Sequence, residues 1–254
     1  KNILNYLNKE NKYSEDWFKR NRVDSKRIFR YYKNALPRVE EGFRTSIDDY
    51  EYFSSASSSQ EYRKYYQNYK GRKKLILDVN KLAKNKKYYD ISSLQPSRNH
   101  KFLAYGEDKN GRREFSIIIK DLITNKIFDK NLCSSTGSII WNKESDGYFY
   151  LKKDPITLVT NSLYFHKLGE DTKEDKLIYK EKDKQFNLSI SLSRTKKYIF
   201  LEVSKTESNE VWYFDLNKKN IEFVCFLKRK KNHLYYLDDT PDKFFILSNK
   251  KNQK

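Results

Sequence analysis

Three histidines, two cysteines and several paired carboxylates are the side chains of this 254-residue sequence best suited to acid–base, nucleophilic or metal chemistry. A serine nucleophile of the α/β-hydrolase type sits on a tight turn between flanking glycines, G-x-S-x-G, so that its hydroxyl stands clear of the sheet. The seven glycines are Gly42, Gly71, Gly106, Gly111, Gly137, Gly147 and Gly169. No two are four positions apart, so that motif is absent. Gly106 and Gly111 have the glycine spacing of a phosphate-binding loop, but Arg112-Arg113 follows in place of Lys and Ser or Thr. Without the lysine that reaches the phosphates, the segment reads as a hairpin turn.

His100, His166 and His233 are too widely spaced to put a metal pair on one face of an element. Each lies next to a strand-like run, so each is expected at a turn or on a sheet surface. Cys133 and Cys225 are too few for a disulfide framework and too far apart for a zinc pair. Both fall in apolar stretches and are expected to be buried free thiols, which suits a reducing, cytoplasmic compartment. The acidic pairs Glu170-Asp171, Glu174-Asp175 and Asp238-Asp239 could divide acid and base roles if their environments separated their pKa values. They cluster in polar turns, where solvated charge is the ordinary outcome. The run Lys228-Arg229-Lys230-Lys231 could touch phosphate, but it reads better as a solvated loop. Trp141 and Trp212 lie within strand-like runs and are expected in the core. The residues themselves therefore give no catalytic, metal-binding or cofactor-binding position, and no cofactor.

The elements that would position these groups follow two patterns. In residues 1–45, Asp24 or Ser25 can cap a helix along which Ile28, Phe29, Tyr32, Ala35 and Leu36 recur at helical spacing. Pro37 should end or bend it. A second short helix is expected within residues 3–20, around Trp17. From Tyr50 onward, short apolar runs alternate with polar turns, and the runs repeat. Phe102–Tyr105, Tyr148–Tyr150, Tyr198–Phe200 and Phe244–Ile246 form one series of aromatic strands, starting 46, 50 and 46 residues apart. Leu122, Leu168 and Leu216 form a second series, 46 and 48 apart. Two landmarks sharing one period of this length indicate the four-stranded blades of a β-propeller.

Turn chemistry agrees with that reading. Asn110-Gly111 suits a tight hairpin, and Asp146-Gly147 and Pro241-Asp242 separate further strands. Val211-Trp212-Tyr213-Phe214 is apolar on both faces, as a strand packed between neighbouring blades must be. The expected fold is all-β, an incomplete β-propeller of about four and a half blades behind a short helical segment. The domains are 1–45 (helical) and 46–254 (propeller), with blades near 46–82, 86–132, 137–183 and 186–229 and an unfinished one at 233–249.

Composition supports a folded β protein. Aromatic residues make up 16% of the chain, enough to bury surface and exclude a disordered polar chain. No run approaches the roughly 20 apolar residues of a membrane helix, and no signal-peptide core is visible. The net charge of +19 could attract nucleic acid or an anionic membrane. It is spread along a chain also rich in Asn, Tyr, Ile and Phe, all with A/T-rich codons, so codon bias is the favoured reading and nucleic acid is not expected as a partner. The absence of Met suggests that the first residues of the protein precede Lys1.

Several segments, in order, resemble the oligopeptidase B branch of the prolyl oligopeptidase family. They begin with Ile3–Tyr13 (ILNYLNKENKY), Tyr50–Ser54 (YEYFS) and Leu77–Asn80 (LDVN). The longest is Leu103–Leu122 (LAYGEDKNGRREFSIIIKDL), followed by Ser138–Asn142 (SIIWN). His166–Gly169 (HKLG), Leu177–Phe186 (LIYKEKDKQF), Ser193–Tyr198 (SRTKKY) and Ser208–Trp212 (SNEVW) complete the series. The resemblance implies a serine endopeptidase in which a seven-bladed propeller restricts an α/β-hydrolase domain to short peptides, cut after Lys or Arg. The Ser, Asp and His of that family lie in the C-terminal domain, beyond Lys254, so no residue here inherits a catalytic role. The resemblance also implies partners: a separate chain supplying the remaining blades and the hydrolase, and short peptides through the intact enzyme; the open blade edges of an incomplete propeller add self-association as an expectation. A fragment, one product of a split gene and a degenerate remnant all fit a chain ending inside its fifth repeat. The Lys/Asn-rich ending Lys250–Lys254 is where a frameshift would be easy.

Overall fold

The computed structural model describes residues 2–22 and 24–250. Most of the Lys/Asn-rich ending, residues 251–254, lies outside them. The chain divides into two compact units, Lys1–Lys81 and Leu82–Lys254.

In the first unit, α1 (Asn2–Arg20) is longer than the short helix the sequence suggests. Its apolar and polar residues fall on opposite halves of the helix, and none of its side chains is buried. Helix α2 (Ser25–Ala35) starts where expected, with the Asp24 carboxylate accepting the Arg27 N–H at 2.9 Å. It ends as Leu36 turns extended ahead of Pro37. The first sheet comprises β1 (Val39–Glu41), β2 (Thr45–Ile47), β3 (Tyr50–Ser57), β4 (Lys64–Tyr69) and β5 (Arg72–Asp78). It is antiparallel, and β1 and β2 both pair with β3. Strand structure thus begins at Val39, inside the segment read from sequence as helical. Three-residue strands are too short to show alternation. Phe53, Ile76 and Leu77 are buried, and Tyr50 stacks on Tyr69 at 4.6 Å. Helix α3 (Val79–Ala83) leaves this sheet.

Among the described residues, the second unit holds three sheets. The first of them contains β6 (Asp90–Ile91), β7 (Gln95–Pro96), β8 (Phe102–Asp108), β9 (Phe115–Asp121), β10 (Ile127–Trp141), β11 (Gly147–Lys153), β12 (Thr160–Lys167) and β13 (Lys176–Lys180). The next contains β14 (Asn187–Leu192), β15 (Tyr198–Lys205), β16 (Ser208–Asp215) and β17 (Val224–Leu227). The last is the hairpin of β18 (Tyr235–Asp239) and β19 (Phe244–Ser248). All pairings are antiparallel.

The eight-stranded sheet is two repeats joined through one strand. The first half of β10 pairs with β9 and the second half with β11. The register shifts around Ser135, and Gly137 takes φ +81°. Ser92 locks this bend: its hydroxyl donates to the Gly137 carbonyl at 2.7 Å and accepts the Gly106 N–H at 2.9 Å. A Cβ on Gly137 would come within 2.6 Å of the Ser92 hydroxyl and 2.8 Å of Phe115 Cβ, so only glycine fits.

Apolar clusters lie between successive repeats, as blade stacking requires. Ala104, Ile117, Ile119, Trp141 and Tyr148 form one. Phe149, Leu163, Ile199, Leu201 and Phe214 form another, between the eight-stranded and four-stranded sheets. Phe200, Val211 and Tyr235 pack the terminal hairpin onto the four-stranded sheet. Trp141 is core, as expected, with its indole N–H on the Gln95 carbonyl at 3.0 Å. The Asn110-Gly111 turn is wider than a two-residue hairpin. Asp108 organises it by accepting the N–H groups of Asn110, Gly111 and Arg113.

Candidate functional site

The strongest concentration of ionisable groups surrounds His166. Tyr148 on β11 is paired directly opposite His166 on β12, so both side chains enter the same face of the sheet. His166 is fully buried. Its Nδ1 lies 2.6 Å from Asp175 Oδ1 and its Nε2 lies 2.8 Å from Asp129 Oδ2. Asp129 comes from β10, and Asp175 from the turn between β12 and β13. The second Asp175 oxygen accepts the Tyr150 hydroxyl at 2.6 Å and the Asn131 amide at 3.1 Å. Asp129 also accepts the Gly169 and Lys130 N–H groups. The Tyr148 ring lies 5.1 Å from the imidazole.

Electrostatics fixes the state of this cluster. Burial alone would drive His166 neutral, but the hydrogen bonds and charges of Asp129 and Asp175 outweigh it and push its pKa up to about 9. Burial likewise opposes the Asp129 charge. The imidazolium and the Gly169 N–H overcome it and hold Asp129 below the usual carboxylate range. His166 is therefore an imidazolium with both N–H groups donating to carboxylates.

That state rules out the chemistry the residue types suggest. A general-base histidine needs one nitrogen oriented by a carboxylate and the other facing a nucleophile. Here carboxylates hold both. Cys133, on β10, is a free thiol whose pKa burial pushes up to about 11, opposite to what a nucleophile needs. Among the described residues, no three His, Cys, Asp or Glu side chains could hold a metal. The cluster is a buried clasp that ties β10, β12 and the turn before β13 together.

A second clasp joins the eight-stranded sheet to the four-stranded one. Glu181, just after β13, accepts Arg229 Nη1 at 2.8 Å and Nη2 at 3.4 Å, the Tyr179 hydroxyl, and the N–H groups of Lys182 and Asp183. Burial opposes the Glu181 charge, but Arg229 and those N–H donors hold its pKa down. The Arg229 guanidinium also lies 4.1 Å over the Phe186 ring. Glu210, buried beneath, accepts the Arg229 N–H and the Trp212 indole N–H.

These placements correct several expectations. His166 lies in the interior, not on a sheet surface or in a turn. Its partners are 37 and 9 residues away, and strand register rather than local spacing unites them. Asp175 and Asp239 are buried rather than solvated. Asp239 accepts the Thr195 N–H and hydroxyl, tying the terminal hairpin to the four-stranded sheet. Within the basic run, Arg229 and Lys228 are committed, the latter lying over Trp212. Trp212 is half-buried, its indole spent on Glu210. Both cysteines are free, as expected, but half-buried. His100 occupies a turn at φ +58°, and His233 bonds the Ser248 hydroxyl at 3.0 Å. A local signal for the His166 clasp was available in HKLGEDTKED, which carries both His166 and Asp175, but nothing in it points to Asp129.

Known proteins share this architecture. The family described as prolyl oligopeptidase, N-terminal β-propeller domain, matches residues 1–254. Protease 2 of Moraxella lacunata is 26% identical over 97% of the chain, which spans 37% of that protein. Dipeptidyl aminopeptidase BI of Pseudoxanthomonas mexicana is 31% identical over 69% of the chain, covering 24% of that protein. Among solved structures, oligopeptidase B from Leishmania major superposes with a TM-score of 0.87 at 22% identity, over 97% of this chain and 36% of its own. Oligopeptidase B from Trypanosoma brucei follows at a TM-score of 0.81 and 21% identity. The chain thus spans little more than a third of these relatives at most.

Proposed function

This chain belongs to the prolyl oligopeptidase family, as its N-terminal β-propeller domain, and from that we propose that it is the substrate-gating part of an oligopeptidase-B-like serine endopeptidase of the cytoplasm, acting on short peptides. One observation carries the proposal: oligopeptidase B from Leishmania major matches 97% of the chain at a TM-score of 0.87. The sequence contains no G-x-S-x-G, and its buried histidine is held by two carboxylates, so the chain itself supplies no nucleophile with a base. Its contribution is steric. Stacked blades exclude folded proteins and admit short peptides to a hydrolase domain.

The N-terminal helices support a partner of that kind. Ile3, Leu4, Tyr6, Leu7 and Tyr13 of α1 and Ile28, Phe29, Tyr31 and Tyr32 of α2 are all exposed. Apolar helix faces of this size are stable in water chiefly when another surface covers them. In this reading the hydrolase domain covers them, whether it continues the same polypeptide or belongs to a second chain. The test is activity. The purified chain should cleave no Arg- or Lys-containing peptide and should not react with a serine-directed fluorophosphonate probe. Stoichiometric labelling of the chain alone would overturn the proposal.

A further inference from the structure

We propose that a cavity between the eight-stranded and four-stranded sheets is a binding site for an aromatic carboxylate of single-residue size, the chemistry of a peptide's C-terminal Phe or Tyr. The cavity measures about 370 Å³, near the lower end of small-ligand pockets. It opens where the β10–β11 turn and the end of β12 face the segment after β16. Its floor is aromatic. Phe149 and Phe214 are buried there, with ring centroids 5.7 Å apart, and Phe165 packs on Phe149 at 5.0 Å. Ile221 completes the floor. Aromatic floors favour a flat ring over an alkyl chain through edge and offset contacts.

The rim has the opposite character. Lys143, Lys167, Lys218 and Lys219 stand around it, and all four are exposed. Lys167 is neutralised by Glu170 at 3.0 Å. Lys143 reaches across the mouth to a neutral partner, Asn217 Oδ1, at 2.7 Å. Two carboxylates also lie on the rim, Glu144 and Asp146. Asn142 donates to both, at 3.3 and 2.5 Å, but its neutral amide leaves their charges in place. With Lys167 and Glu170 paired, Lys143, Lys218 and Lys219 face Glu144 and Asp146, so the rim is positive by a single charge above an apolar floor. An uncharged apolar guest would leave that excess unused, whereas a carboxylate beside an aromatic ring matches both layers. This site is independent of the gating proposal and needs no hydrolase domain.

A ligand-observed NMR titration of the full chain tests it, with N-acetyl-phenylalanine, its amide and octanoate as probes. Saturable binding of N-acetyl-phenylalanine is expected, weakened about fivefold in the amide, as loss of a partly exposed charge pair predicts. Lys218→Glu combined with Lys219→Glu, both exposed, should abolish the preference for acid over amide without affecting the fold. Ile221→Asp should remove binding of both. Octanoate binding as tight as that of N-acetyl-phenylalanine would overturn the aromatic assignment. Absence of saturable binding by every probe, or equal binding of acid and amide, overturns the assignment.

Discussion

His166 carries a full positive charge in a place without solvent, and the two carboxylates that stabilise it came out of water with it. Such a cluster contributes little net stability when intact, but removing one member leaves charge buried and unpaired. His166→Leu should therefore destabilise the second unit by about 3–5 kcal/mol in denaturant unfolding. Asp129→Asn, which lowers the charge but keeps an acceptor, should cost less. The pH dependence follows from the directions of the shifts. The raised pKa of His166 gives stability that is fully present below its unfolded value of about 6.5 and is lost as pH rises through about 9. The depressed pKa of Asp129 acts at the other end, its contribution vanishing as pH falls through its folded value. The His166→Leu variant should lose the alkaline decline, and the wild-type imidazole should still be protonated at pH 8 by NMR. A His166 resonance titrating near its ordinary value would disprove the clasp.

At the scale of elements, the bend in β10 makes a sharper demand than any single contact. Gly137→Ala combines a left-handed backbone angle with overlap against Ser92 and Phe115, and should cost at least about 2 kcal/mol in thermal unfolding. Gly71, in the turn between β4 and β5, has nearly the same φ but open space around its α-carbon. Gly71→Ala should cost only about 1 kcal/mol, so the pair separates backbone strain from crowding. Arg229→Lys should also destabilise, because lysine cannot reproduce the two-pronged contact with Glu181.

The sequence made the helices and the aromatic strands legible. Asp24 and Pro37 bracket α2, and β11, β15 and β16 declare themselves as apolar runs bounded by turns. It hid what register decides. No local pattern shows that β10 serves two repeats, since its polar middle reads as a loop between strands. Nor does any show that Asp129 meets His166, because that contact exists only once β10, β11 and β12 have paired. The same applies to Glu181 and Arg229, 48 residues apart.

At the scale of the whole molecule, charge and edges make separate predictions. The +19 excess is scattered along the chain rather than gathered in one stripe. Binding to RNA or anionic vesicles should be weak at physiological salt. Tight binding with a steep salt dependence would instead favour a basic interaction module. The terminal hairpin presents Phe245, Ile246 and Leu247 to solvent on β19, which pairs only with β18 among the described residues. An unpaired apolar edge recruits other strands. The chain alone should self-associate at micromolar concentration in analytical ultracentrifugation, and Ile246→Lys should reduce this.

The shared strand also bears on how the protein opens. Repeats in a stacked array usually fluctuate semi-independently, each with its own opening free energy. Because β10 runs unbroken from the β9 ladder into the β11 ladder, and Ser135 pairs with both Phe115 and Lys152, opening of either repeat disturbs the edge of the other. In native-state hydrogen exchange, β8 through β12 should behave as one cooperative foldon, protected to a common limit, while β14 through β17 exchange on their own schedule. An array built this way yields at its seam with the four-stranded sheet rather than within the double unit.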